Sequence, residues 1–268
     1  MGQARRPAVA EANLACAEGL PGAEGLIKEQ CLGLLNQWAR QVAVETARNE
    51  HWFREQPGYY EFSATKYRMI QLVLTLQQDL GVVYNPAKMS VPNGTDLSDP
   101  AFFRDASDVF LCGVLGPARK GTCASLPVLV VALGRRLGYP LRLVATKGHL
   151  FARWENPDGK ERFNIEAAGQ GVDFYPDDYY RSWPFPLSER EIEEEGFLRS
   201  LSSDEELALF LELRGYCLIA NHRYSEALSA LTLALDHRPR SMNLRRLVAH
   251  VRSLETRVGG GSDGARSI

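Results

Sequence analysis

No apolar run in these 268 residues is long enough for a membrane-spanning helix, and the N-terminus lacks the apolar core of a secretory signal. The chain is also poor in cysteine, with five thiols at Cys16, Cys31, Cys112, Cys123 and Cys217. None forms a CxxC pair, and their scatter argues against zinc ligation and against a disulfide framework. Unpaired thiols suit a reducing compartment, so a cytoplasmic location is expected. A formal net charge of −2 leaves no excess of basic side chains, so neither nucleic acid nor a membrane is an expected partner. No cofactor or metal is expected either. What the chain has is 45% apolar content, enough for a substantial core and an appendage.

The strongest local signal runs from Leu126 to Leu137, LPVLVVALGRRL. A segment apolar almost all round for two turns belongs in the centre of a domain. Arg135 and Arg136 suit a helix C-terminus, Gly138 suits a left-handed cap, and Pro140 prevents continuation. At the other end Gly121 permits a tight turn, Thr122 is an acceptable N-cap, and Pro127 is tolerated in or just past the first turn. Cys123 is therefore expected at the N-terminal end of a buried helix. The peptide dipoles and N–H groups there favour an anion, which suits a thiolate or an oxyanion formed by its attack.

Three strands are predicted next: Leu141 to Ala145, Leu150 to Trp154 and Arg162 to Glu166. Asn156-Pro157-Asp158-Gly159 is a turn signal between the last two. If it is the hairpin loop, Glu155 faces Lys160, Arg153 faces Arg162, Phe151 faces Asn164 and His149 faces Glu166. Directly opposed side chains have Cβ atoms roughly 4.5–5.5 Å apart, within reach of an imidazole–carboxylate hydrogen bond. A loop one residue shorter would turn Glu166 to the other face.

Cys123, His149 and Glu166 are thus the candidate catalytic residues: a thiol to attack, an imidazole to move protons, and an acid to hold the imidazole in one tautomer. Asn164 is the alternative third member, and Thr122 and Trp183 are candidate accessory residues. Cysteine, then histidine at the start of a strand, then an acid at the end of the next strand resembles the transglutaminase-like superfamily of papain-like folds. RRLGYPLRLVA, Arg135 to Ala145, resembles that family's passage from helix to strand. The likeness covers Gly121 to Gly171 and is nearest to bacterial proteins that join such a core to a tetratricopeptide tail. It implies that Cys123 is the nucleophile, His149 the base, and Glu166 the residue standing where aspartate is usual.

The expected architecture is α+β, a papain-like transglutaminase core with a helical N-terminal half and a C-terminal helical repeat. Residues 1–20 are expected to be a flexible N-terminal segment, 21–188 the helical half plus core, 200–257 a tetratricopeptide-like repeat, and 258–268 a disordered tail. Helical spacing marks Gly25 to Glu50 and Ser63 to Leu80, with loops around Gly58 and from Asn85 to Pro100. Leu211, Gly215, Leu218, Ala227, Leu231, Ala234 and Pro239 fit one repeat, which Met242 to Leu254 would cap as a separable three-helix appendage. Aromatics from Phe174 to Phe185 either wall the active cleft or pin a loop to the core. The acidic stretch Glu189 to Glu206 and the arginines from Arg238 to Arg257 are either solvated faces or a docking surface for a partner peptide.

Two functions compete. One is acyl transfer or hydrolysis at an amide or isopeptide bond through a Cys123 thioester, with a protein or peptide substrate. The other is a catalytically idle core of the same fold acting as a protein-interaction module.

Overall fold

The computed structural model describes residues 8–88, 100–169 and 171–260, and over these the chain is a predominantly helical α+β protein. Its first half supplies α1 (Val9–Ala17), α2 (Lys28–Arg48), α3 (Glu50–Glu55), α4 (Ala64–Leu74) and α5 (Leu111–Leu115), and β1 (Val83–Tyr84) pairs in parallel with β2 (Lys120–Gly121). Helix α6 (Leu126–Arg136) then leads into an antiparallel sheet of β3 (Leu141–Thr146), β4 (His149–Glu155) and β5 (Arg162–Ile165), in that order. Short helices α7 (Asp177–Ser182) and α8 (Glu189–Glu195) follow. Helices α9 (Ser203–Ala220), α10 (Tyr224–His237) and α11 (Met242–Gly260) complete the described chain. No helix among the described residues is long and apolar enough to cross a membrane.

Helix α6 occupies the centre that its composition predicts, with Leu126 to Gly134 buried without a break. Gly138 adopts φ +77° just past its end, the left-handed conformation expected of that glycine. Gly134 lets strand β3 come close, since a Cβ there would lie 2.2 Å from Leu141 Cδ1. Alternation along the strands splits the sheet into two faces. Leu141, Leu143, Leu150, Ala152 and Ile165 join α6 in the main core. Val144 and Phe151, on the other face, form a second cluster with Tyr180 and Leu198, flanked by Tyr175, Tyr179 and Trp183.

Pairing across the second hairpin differs from the expected register. Asn156 to Gly159 does form the turn, with the Gly159 N–H donating to the Asn156 carbonyl at 2.9 Å and Gly159 at φ +69°. The closing bond, however, runs from the Asn156 N–H to the Glu161 carbonyl at 3.0 Å, so the loop lies one residue further along. Glu155 therefore pairs with Arg162 and Arg153 with Asn164. Each partner on β5 lies two residues later than expected, and a shift of two leaves every side chain on its expected face. Asn156 is held on the strand side because its Oδ1 accepts from Trp154 Nε1–H at 2.8 Å.

Two domain expectations are corrected. The segment 1–20 contains α1, whose Val9, Ala10, Leu14 and Ala17 are buried in the main core. The three helices of the expected repeat are present, but they do not form a separable appendage. Phe210, Leu211, Leu213 and Leu218 of α9 belong to the same apolar cluster as α1 and α6. Polar links agree: Arg135 makes two bonds to Glu206 at 3.0 and 2.5 Å, and Arg214 donates to the carbonyls of Cys16 and Glu18. The segment before α9 is stitched to the free edge of β3, with the N–H groups of Leu198 and Leu201 donating to Ala145 and Leu143, each at 2.9 Å. Of the expected tail, 258–260 continue α11, while 261–268, like 89–99 of the expected loop from Asn85 to Pro100, lie outside the described residues.

Candidate active site

Cys123 lies in a turn directly ahead of α6, and Thr122 braces that turn on several sides. The Thr122 hydroxyl donates to the Asp108 carbonyl at 2.6 Å and accepts from the Ala124 N–H at 3.1 Å. Its carbonyl accepts from the N–H groups of Ser125 and Leu126 at 3.1 and 2.9 Å, and its own N–H donates to Ser125 Oγ at 3.0 Å. The N-cap of α6 is Ser125, three residues later than expected, and Thr122 caps the turn that holds the thiol. Thr122 therefore fixes the backbone of the turn that carries Cys123.

His149 is the first residue of β4, where the strand leaves the tight turn at Lys147 and Gly148. Its Nε2–H donates to Glu166 Oε2 at 2.7 Å, and the ring also hydrogen-bonds the Cys123 side chain. With Nε2 engaged by the carboxylate, Nδ1 is the nitrogen available to the thiol. Both His149 and Glu166 are buried. Burial draws the imidazole toward its neutral form, but the Glu166 charge and the bonds to Cys123 and Glu166 outweigh it, lifting the His149 pKa from 6.5 to about 9.

Glu166 sits just past β5, in an antiparallel bridge with Asp173. Its Oε1 accepts from the Ala168 N–H at 2.9 Å, and its Oε2 accepts from the Tyr180 hydroxyl at 3.1 Å as well as from His149. Continuing the observed register by one step sets Glu166 opposite Phe151, so it reaches His149 along the diagonal. Diagonal neighbours are roughly 7–8 Å apart by Cα, against roughly 4.5–5.5 Å for direct partners. The additional methylene of glutamate covers part of that difference, which gives a physical reason for glutamate here. Glu166→Asp is therefore expected to lose the bond to His149 and to cost about 1.5–3 kcal/mol in urea unfolding at neutral pH. Wild-type stability in that variant would show that the diagonal reach is not what glutamate provides.

Asn164 is corrected: it is not an alternative third member of the site. Its Oδ1 accepts from Arg153 Nε at 2.7 Å, and its Nδ2 donates to the Tyr175 carbonyl and to Asp177 Oδ1. Arg153 is itself buried and reaches Asp177 at 2.6 Å, so this face of the hairpin carries a second polar network with Asn164 committed to it. Trp183 does reach the site, edge-on to the His149 ring with centroids 4.6 Å apart.

Sequence reasoning missed Tyr180. Its ring stacks on Phe151 at 3.8 Å and 8°, it is fully buried, and its hydroxyl bonds Glu166. Burial, then the Glu166 charge, push its phenol pKa far up, so it keeps its proton and serves as a hydrogen-bond donor to the carboxylate. The aromatic stretch pointed to this region, but no local pattern separates Tyr180 from Tyr175 or Tyr179.

This arrangement suits proton transfer to and from a thiol, with a carboxylate opposing the charge on the imidazole. Among the described residues no group of three or more histidine, cysteine, aspartate or glutamate side chains is placed to hold a metal ion. No protein-family model, curated protein or solved structure matches the chain.

Proposed function

We propose that this chain is a transglutaminase-like cysteine acyltransferase or hydrolase acting on an amide or isopeptide bond. The observation that carries the reading is a single buried imidazole, His149, bonded to the Cys123 side chain and to the Glu166 carboxylate. The order of parts supports it: a cysteine turn, a buried helix, a strand that opens on histidine, and an acid closing the next strand. In that reading the unit from Gly121 to Gly171 is a papain-like core, with α9 to α11 as its repeat.

The chemistry proceeds in two halves. With the proton already held by the His149 imidazolium, the sulfur attacks the carbonyl carbon, forming a C–S bond and an oxyanion. Collapse of that intermediate breaks the C–N bond, and the imidazolium gives its proton to the departing amine. A water or a second amine then attacks the thioester, His149 receives its proton, and the C–S bond breaks as the sulfur leaves as a thiolate. Glu166 touches no reacting atom in this scheme. It holds the ring in the tautomer that turns Nδ1 to sulfur and opposes the ring's positive charge.

Thiol labelling tests the proposal. Burial pushes the thiols of Cys16, Cys112 and Cys217 up to about 12 and raises Cys31 as well. A thiol at about 12 leaves roughly one thiolate in 10⁵ at pH 7. Iodoacetamide at pH 7 is therefore expected to modify Cys123 about tenfold or more ahead of the other four, and His149→Ala should remove the preference. Peptide mapping by mass spectrometry reads the order. A Cys123 that resists labelling until the protein unfolds would favour the idle, partner-binding reading of the same fold.

A further inference from the structure

Cys123 and His149 open into a cavity of about 310 Å³, and part of its wall comes from the helical repeat. Leu209, Glu212, Leu213 and Tyr216 line it from α9, at the three- and four-residue spacing of one helix face. Met242 and Asn243 line it from the start of α11. The volume is at the lower end of the range for small-ligand pockets, enough for one long side chain and its peptide unit.

We propose that this cavity is the substrate pocket of the Cys123 site and that it selects an alkylammonium or alkylguanidinium group, with Glu212 as the residue that recognises the charge. The assignment rests on the acyl-transfer reading above. Leu209, Leu213 and Met242 offer an apolar wall for an aliphatic stem, and Glu212 offers a carboxylate for its charged end. The carboxylate is short of positive charge. Its only ion-pair partner among the described residues is Arg238, at 3.3 Å, and the same guanidinium also serves Glu195 at 3.6 Å. Well-formed charge-assisted bonds are roughly 2.7–2.9 Å, so one cation under-neutralises two carboxylates.

Glu195 is compensated by other groups: Ser241 Oγ donates to it at 2.5 Å and the Asn243 N–H at 2.8 Å, at the N-terminus of α11. Glu212 has in addition only the neutral Asn243 Nδ2 at 3.0 Å and the Tyr216 hydroxyl at 3.4 Å. Burial, opposed by Arg238, raises its carboxyl above the usual range, as expected where positive charge is lacking. The two remaining carboxylates of the lining are matched, Glu191 by Lys147 at 2.6 Å and Glu194 by Arg190 at 2.8 Å. Arg246 also lines the cavity, but its side chain is exposed and its charge is screened by solvent.

Calorimetric titration of the full chain tests the pocket without depending on a reactive thiol. The ligands are Nα-acetyl-lysine N-methylamide, its norleucine and glutamate counterparts, and n-pentylamine. The lysine compound is expected to bind about tenfold or more tighter than norleucine, with glutamate weakest. Glu212→Gln should erase the margin, and Leu213→Trp, which fills the cavity, should block binding. If n-pentylamine binds as well as the lysine compound, the cation belongs to a free amine acceptor; if only the lysine compound binds, it belongs to a peptide. Equal binding of lysine and norleucine, or no binding by either, overturns the assignment while preferential labelling of Cys123 still upholds the acyl-transfer reading. Selective lysine binding with an inert Cys123 sinks that reading and leaves a cation-binding cavity.

Discussion

Truncation after Ser200 is expected to abolish cooperative unfolding. The cut removes α9, whose buried residues are spread around its whole circumference because α1 packs on one side of it and α10 on the other. Phe210, Leu211, Leu213 and Leu218 are all buried, and burial of each such side chain stabilises by roughly 1.5–3 kcal/mol. Four of them reach about 6–12 kcal/mol, comparable with the 5–15 kcal/mol that typically separates a folded domain from its unfolded chain. Truncation also strips Glu206 from Arg135 and Tyr216 from its stacked contact with Phe103, 4.9 Å between centroids. Loss of the near-ultraviolet circular dichroism signal and of a thermal transition in 1–200 would meet the expectation. A sharp transition within a few degrees of the full chain's would restore the view of the repeat as an appendage.

The second large effect is a pH dependence of stability that belongs to His149 and vanishes with Glu166. The folded-state pKa of this imidazole is about 9 against an ordinary 6.5, so the folded protein holds its proton more tightly than the unfolded chain. A raised pKa contributes stability fully present below about pH 6.5 and lost as pH rises through about 9. At roughly 1.4 kcal/mol per unit, the contribution is on the order of 3 kcal/mol at its fullest. Glu166→Gln removes the charge that opposes burial, so the ring becomes a buried neutral histidine and the contribution collapses. Urea unfolding at pH 6, 7.5 and 9 should show Glu166→Gln most destabilised at pH 6 and approaching wild type at pH 9. A difference that is constant with pH, or that grows toward pH 9, would mean that the pair is not charged in the folded protein.

Local chemistry determined a good part of this molecule. The run LPVLVV, the arginine pair, Gly138 and Pro140 specify a buried helix with defined ends, because each signal acts within a turn or two of its own residue. The same holds for the turn at Asn156 to Gly159 and for the alternation that puts His149 and Glu166 on one face of the hairpin. Composition and order also marked Cys123, His149 and Glu166 as candidates, and the fold brings their side chains together.

Other features were decided only in three dimensions. Whether Asn156 ends the strand or opens the loop depends on the Trp154 indole and the Glu161 carbonyl, and that choice moved the register by two residues. Asn164 lies on the correct face, yet Arg153 and Asp177 compete for it and win. Tyr180 joined the site because α7 folds back over β4, a contact between segments with no shared local pattern. The spacing of small residues in α9 and α10 is compatible with either a free repeat or an embedded one. What embeds it is the apolar surface of α1 and the carbonyls of Cys16 and Glu18, some 200 residues away in the chain, where hydrophobic burial is non-directional and sequence distance carries no information.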